Sequence, residues 1–238
     1  MIDISSLPQE APEFDLRELL EAGAHFGHQA RKWHPKMAKW IYTEKDGVHI
    51  FDLEKTAKQL QIAYNFAFDL GKKNKTLVIV GTKKQAREVI KEATQDQHVM
   101  TITSRWLGGL LTNWDQVHKS LARMLDIEKG LKEGKYDSYT KLERVLLDKE
   151  RGRLERFFGG ISELKGRPDA VFIIDPGREK VAVLEASKVG VPIMALIDSN
   201  SNPDMIDIPV PANDDAVRSV SYIVKAVVAG YEAGRISK

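Results

Sequence analysis

Cysteine is absent from all 238 residues. That excludes disulfides, a cysteine nucleophile and any thiolate metal site, and it fits a reducing compartment. Long apolar runs are missing too, since no stretch approaches the ~20 residues that cross a bilayer. The opening MIDISSLPQEAPEF has no basic start, no apolar run and no arginine, so neither a secretory signal nor a transit peptide is expected there. Catalytic signatures are equally scarce. No Gly-x-Gly-x-x-Gly, P-loop ending in Gly-Lys-Ser/Thr, Gly-x-Ser-x-Gly or His-Glu-x-x-His occurs. Dinucleotide binding, P-loop chemistry, serine hydrolysis and zinc proteolysis therefore lack their motifs.

What is present is an ordinary core and an uneven distribution of charge. With 42% apolar residues, the chain can bury one domain, or one domain plus an excursion. The net charge is only +2, but between His28 and Lys91 there are 14 Lys and Arg against 6 Asp and Glu. Between Glu163 and Asp215 the balance reverses, with 5 cations against 10 carboxylates. One part of the chain suits phosphate; the other suits water, cations or another protein.

The most basic segment is AGAHFGHQARKWHPKM, Ala22 to Met37. It holds His25, His28 and His34, the cations Arg31, Lys32 and Lys36, and Trp33; Lys39 and Trp40 follow. Gly23, Gly27 and Pro35 interrupt it, and its apolar residues show neither helical nor strand periodicity. Cations suit phosphates, while Trp and His offer flat faces to bases and sugars. The competing reading is a solvated basic loop with its tryptophans in the core. The composition also suggests disorder before a partner is bound.

Asp15 is placed to cap a short helix through Leu16, Leu19 and Leu20, with Glu18 at its third position and Gly23 as its stop. Trp40–Tyr42 and Val48–Phe51 read as a strand pair around Asp46-Gly47. Asp52 opens a long helix with Leu53, Ala57, Leu60, Tyr64, Ala67 and Phe68 on one face, ended by Gly71. Thr76–Val80, Val99–Ile102, Ala170–Ile174 and Ile193–Ile197 are short apolar runs that suit strands buried on both faces. Helices are expected over Gln85–Thr94, Glu179–Lys188 and Asp214 to about Gly230. This alternation predicts an α/β fold, a doubly wound and mostly parallel sheet of four or five strands with helices on both faces.

The middle departs from that grammar. Leu110, Trp114, Val117, Leu121, Met124 and Leu131 recur at spacings of three, four and seven, with Glu128 as the polar break, as along a coiled-coil seam. Thr140 and Glu143 form a capping box for a second helix, in which Leu147, Leu154 and Ile161 repeat every seven residues. A projecting antiparallel helical hairpin over 111–161 is therefore expected, inserted into a discontinuous core of 1–110 and 162–238.

Two places invite a small ligand. Gly81 to Gln85 sits where a phosphate-binding turn would be, but lacks a P-loop's second glycine and its Lys-Ser/Thr. The three histidines are too irregularly spaced for an expected metal site. Asp198, Asp204, Asp207, Asp214 and Asp215 fall on loops after strands, where a structural magnesium ion is the one metal left open. The favoured role for them is local, with Asp198, Asn202 and Asp214 as turn-formers and helix caps. No cofactor is expected.

Five ordered blocks give a resemblance. They are the Ala22–Met37 segment, VGTKKQA from Val80, RWLGGLLTNW from Arg105, GGI with PDAVFIID between Gly159 and Asp175, and IDSNSNPD with PANDDAVRSV between Ile197 and Val220. Together they resemble the small-subunit ribosomal protein number two family over nearly the whole chain. Departures are small: Asp198-Ser199-Asn200 replaces the family's Asp-Thr-Asn, and Ser104 stands where a His or Asn is common.

The resemblance implies a non-catalytic structural constituent of the small ribosomal subunit. It also implies a place between head and body on the solvent side, and a two-helix arm in bacterial members. The implied partners are small-subunit rRNA and neighbouring ribosomal proteins including ribosomal protein S-one, with no membrane. The implied compartment is the cytoplasm, or the plastid stroma. The expected rRNA-binding residues are His25, His28, Arg31, Lys32, Trp33, Lys36, Lys39, Lys83, Lys84 and Arg105. Trp106 is expected to anchor the core instead. The alternative is an enzyme of nucleotides or sugar phosphates working at Gly81 to Gln85 and the aspartate loops.

Overall fold

The computed structural model describes residues 3–237. Its centre is a parallel sheet of β4 (Leu77–Val80), β5 (Met100–Ile102), β6 (Ala170–Ile174), β7 (Ile193–Ile197) and β8 (Ile208–Pro211), in the order β5-β4-β6-β7-β8. Each strand pairs in parallel with its neighbours. β4, β6 and β7 are buried along their whole length, as their unbroken apolar sequences require. Successive residues serve opposite layers: Leu77 and Ile79 face one core, Val78 and Val80 the other.

The first layer is built by α2 (Leu53–Lys72), α3 (Lys84–Ala93) and α7 (Val217–Ile236). Asp52 caps α2 as expected, its Oδ1 accepting from the amides of Glu54 and Lys55. Gly71 does not end that helix; it lies where α7 crosses, and a Cβ there would stand 2.0 Å from the Tyr231 carbonyl oxygen. α7 starts at Val217 rather than Asp214, and runs on to Ile236. The second layer carries α6 (Lys180–Val189), Trp106, the root of α4 (Trp114–Lys132) and the end of α5 (Lys141–Phe158).

α4 and α5 stand between β5 and β6 in the chain and contact each other, with Arg123 donating to both oxygens of Glu150. The capping box at Thr140 and Glu143 is formed in both directions. Val117, Leu121, Met124 and Phe158 are buried at the root, while Leu125, Leu142, Val145 and Leu146 are exposed.

α1 (Leu16–Glu21), capped by Asp15, precedes a second, antiparallel sheet in the order β1-β3-β2. It consists of β1 (Phe26–Gln29), β2 (Ile41–Lys45) and β3 (Val48–Phe51). Asp46 and Gly47, both with positive φ, make the expected turn between β2 and β3. β8 is an element the sequence pattern hides, because Pro209 and Pro211 lie within it. Proline survives there because β8 is the sheet's edge and pairs with β7 alone.

Candidate nucleic-acid interface

The basic segment is not a free loop. Phe26–Gln29 forms β1 against β3, and two 3-10 turns follow at Ala30–Lys32 and Pro35–Trp40. Long-range partners supply what local periodicity lacks. The amide of His28 donates to Asp198 Oδ1 at 3.0 Å and to Ser199 Oγ at 2.9 Å. The amide of His34 donates to the Ser199 carbonyl at 2.7 Å, and Asn213 donates through its amides to the carbonyls of Gly23 and Ala24. Gly27 permits this seating, since a Cβ there would stand 3.0 Å from Ser199 Oγ. The segment is thus laid over the loops that leave β7 and β8, at the C-terminal edge of the parallel sheet.

Within it, Met37 and Trp40 are buried and act as anchors. Trp33 stays 39% exposed, its ring centroid 5.1 Å from that of His49. Arg31 and Lys32 are exposed, and Lys39 is exposed with its ammonium 4.1 Å over the Trp40 ring. Lys36 is ion-paired with Asp204. His25 is half-buried against Phe26, and burial lowers its pKa.

Lys84 opens α3 after β4, and Arg105 follows β5. Both are exposed on the same sheet edge as the basic segment. None of Arg31, Lys32, Lys39, Lys84 and Arg105 has a carboxylate within ion-pair distance among the described residues. Chain positions more than 70 residues apart therefore present uncompensated positive charge along one edge.

Two of the expected contact residues are turned inward. Lys83 is buried, its ammonium 2.6 Å from Asp214 Oδ1, 2.6 Å from Asp215 Oδ1 and 3.6 Å from Asp175 Oδ2. Burial alone would lower its pKa, but the bonds to Asp214 and Asp215 override that and raise it. The His28 ring lies 3.0 Å from Asp198 Oδ1 and 3.5 Å from Asp215 Oδ2, and the bond to Asp198 raises its pKa.

The aspartates divide in the same way. Asp198, Asp214 and Asp215 converge on this cluster, whereas Asp204 pairs with Lys36 and Asp207 accepts from the Ile193 amide at 2.9 Å. Asn202 does form the expected turn, accepting from the Asp204 amide. Asp214 caps nothing: α7 begins after Ala216, and Asn213 Oδ1 takes the amides of Asp215 and Ala216. Burial and the neighbouring Asp198 and Asp175 push the Asp214 carboxyl up to about 7, against the pull of Lys83.

The crevice between β4 and β6 is where a doubly wound sheet in this strand order binds small ligands. Here Lys83 and its carboxylates fill it, and the loop glycine Gly81 is closed in by Ile90 and Ala86.

The RWLGGLLTNW stretch is organised by a residue the sequence reading did not single out. Glu185, on α6, is buried and accepts from the amides of Gly109 (2.7 Å), Leu111 (3.0 Å) and Thr112 (3.2 Å). The Thr112 hydroxyl and the Trp106 indole N–H also donate to it. One carboxylate thus replaces the hydrogen bonds an irregular segment cannot make internally. Trp106 is a buried anchor, as expected.

In the sequence comparison, the family described as ribosomal protein S2 matches residues 19–234. The chain belongs to the ribosomal protein S2 family. It is a family of structural, non-enzymatic small-subunit ribosomal proteins, which associates the chain with the ribosome of the cytoplasm or an organelle, and with its rRNA and proteins. The match begins inside α1 and takes in the basic segment, both aspartate loops and the α4–α5 pair. Among the described residues, no helix is long and apolar enough to cross a membrane.

Proposed function

We propose that this chain acts without catalysis, by gripping small-subunit rRNA along the C-terminal edge of its parallel sheet. The observation that carries the reading is the row of exposed, uncompensated cations Arg31, Lys32, Lys39, Lys84 and Arg105. Each neutralises a phosphate and releases counterions, so affinity falls steeply with salt. Lys36 joins them at little cost, because an exposed ion pair such as that with Asp204 is worth only ~0–1 kcal/mol. Trp33 and His25 offer rings to a sugar or base. Lys83 and His28 leave the contact set, since their polar atoms are engaged inside the protein. Phosphate contacts position a protein on RNA and carry little sequence information, which suits a part that orders rRNA by shape.

The finer assignments share this frame. Residues 111–161 form the arm, a coiled-coil hairpin inserted into the core of 1–110 and 162–238; the exposed Leu125, Leu142 and Leu146 beyond a buried root support it. A neighbouring ribosomal protein is the protein partner; for ribosomal protein S-one the support is the family resemblance. The compartment is the cytoplasm, with the plastid stroma as the organellar case.

The test is binding of the purified chain to small-subunit rRNA across a salt series. Changing Arg31, Lys32 and Lys84 together to Ala should reduce the slope of log K against log salt by roughly 2–3. The melting temperature should stay within about 6 °C, because three surface substitutions of this kind shift stability by no more than ~0.5 kcal/mol each. An unchanged slope would remove these residues from the interface.

A further inference from the structure

Where the α4–α5 pair returns to the core, the turn Gly159–Ile161 closes on the free edge of the parallel sheet. β5 pairs with β4 alone, and a Cβ on Gly160 would stand 2.2 Å from the Thr101 carbonyl oxygen, so glycine alone allows this approach. Beside the contact lies a cleft of about 360 Å³, walled by α3, the end of β5 and the last turn of α5. That is room for one small ligand.

Three cations from two helices line this cleft. Arg87 and Lys91 stand one turn apart on α3, and Arg156 comes from α5. Both arginines reach Ser104: Arg87 Nη2 lies 3.5 Å from its carbonyl oxygen, and Arg156 Nε 3.4 Å from its hydroxyl. Arg87 is held further by its Nε, which donates to the Thr82 carbonyl at 2.8 Å. Among the described residues, none of the three cations is ion-paired with a carboxylate. Glu155 is the one carboxylate in the lining, and Arg151 engages it at 2.6 Å. Like charges gathered around one recess repel each other unless an anion joins them.

We infer that the cleft binds a phosphomonoester dianion of the mononucleotide type, held by Arg87, Lys91 and Arg156. Guanidinium forks match phosphate oxygens in pairs, and the ammonium adds a point charge. Thr101 and Ser104, both half-buried, add hydroxyls, and Phe157 gives an aromatic wall for a sugar or base. Three uncompensated charges suit the two on a terminal phosphate better than the one on an internal diester. A bound dianion ties the root of α5 to α3 and to the edge of β5. The site shares no residue with the row of outward cations, so its failure would leave the rRNA grip untouched.

Calorimetric titration of the full-length chain with AMP, adenosine and the dinucleotides pApA and ApA tests this. AMP and pApA should bind one per chain, whereas adenosine and ApA, which lack a terminal phosphate, should not. Arg156→Gln and Lys91→Gln should each weaken AMP binding ~10–100-fold, in variants whose circular dichroism matches the native chain. Arg156→Lys should recover only part of the loss, because an ammonium lacks the fork. Affinity should fall about tenfold from pH 7.5 to pH 5, as a phosphate with a second pKa of ~6 loses its second charge. Equal affinity for AMP and pApA would make a free nucleotide sufficient, and tighter pApA would make the ligand an RNA 5′ end; either upholds the site. No saturable binding at millimolar AMP, adenosine or ApA binding as well as its phosphorylated counterpart, or native affinity in the folded variants would each overturn it.

Discussion

Replacing Glu185 with Ala should lower the unfolding free energy by about 3 kcal/mol, because a buried charged acceptor is removed from five donors, of which the Leu111 amide and the Trp106 indole are buried. The three amides of Gly109, Leu111 and Thr112 would be orphaned together with the Trp106 indole. For a chain of this length, a loss of ~3 kcal/mol corresponds to roughly 10 °C in Tm. Glu185→Gln should recover only part of this, since its NH2 group turns a donor toward donors. Thermal melts of the two variants would check the order. Equal stability of Glu185→Ala and the native chain would mean the segment has another support.

The same carboxylate has a defined pH signature. Burial alone would raise its pKa, but the amides of Gly109 and Leu111 and the Trp106 indole hold it below the ordinary value of 4.5. A group with a depressed folded pKa stabilises the native state above its unfolded pKa, and that contribution fades as pH falls through the folded value. Native stability should therefore decline below about pH 4.5 more steeply than that of Glu185→Gln. Urea titrations at pH 7 and pH 3.5 in both proteins would separate the slopes.

The second large effect is expected where α2 crosses α7. Gly71 and Gly234 each place a missing Cβ 2.0 Å from a carbonyl oxygen of the opposite helix, that of Tyr231 and that of Phe68. Gly230 repeats the pattern at 2.7 Å from the Tyr64 carbonyl. These atoms are backbone, so a methyl group cannot be accommodated by rotating a side chain; the helices must part. Gly234→Ala should cost about 3 kcal/mol, the upper end of ordinary overpacking, because separating the helices also loosens Leu60, Phe66 and Val227 beneath them. Adding Gly71→Ala should cost less than its own single effect, since the first substitution has already opened the gap. The midpoint in urea should fall with m unchanged. A Gly234→Ala midpoint equal to the native one would show that the crossing is looser than its backbone contacts imply.

How much of this was legible depended on whether the cause lay near in sequence. Ala170–Ile174 and Ile193–Ile197 coincide with β6 and β7 because both faces of those strands are buried, which leaves an unbroken apolar run. The Thr140–Glu143 box was legible because cap and partner are three residues apart. Glu185 was not, since on its own helix it resembles any solvated glutamate, and its donors lie more than 70 residues upstream. Lys83 follows a strand and a glycine and so resembled a phosphate contact; only the return of the chain at Asp214 and Asp215 buries it.

The basic segment misled in another way. Its irregular sequence suggested a free loop, yet Ser199 and Asn213, remote in sequence, hold its backbone. The sequence does hold one pointer: Asp175 directly follows the unbroken apolar run of β6, the place after a buried parallel strand where convergent chemistry is expected.

The two prolines of β8 bear on how this chain survives before it reaches a ribosome. The Ala212 amide points inward to the Ile197 carbonyl, so strand alternation sends the nitrogens of residues 209 and 211 outward. Both are proline, and the outer rim of the sheet offers no N–H at either place. The Pro211 carbonyl is already taken by the Thr56 hydroxyl of α2, and at Pro209 a second copy that tried to add its own strand would meet no donor. The edge-to-edge growth that turns exposed rims into insoluble fibrils is opposed on this side by two rings of carbon.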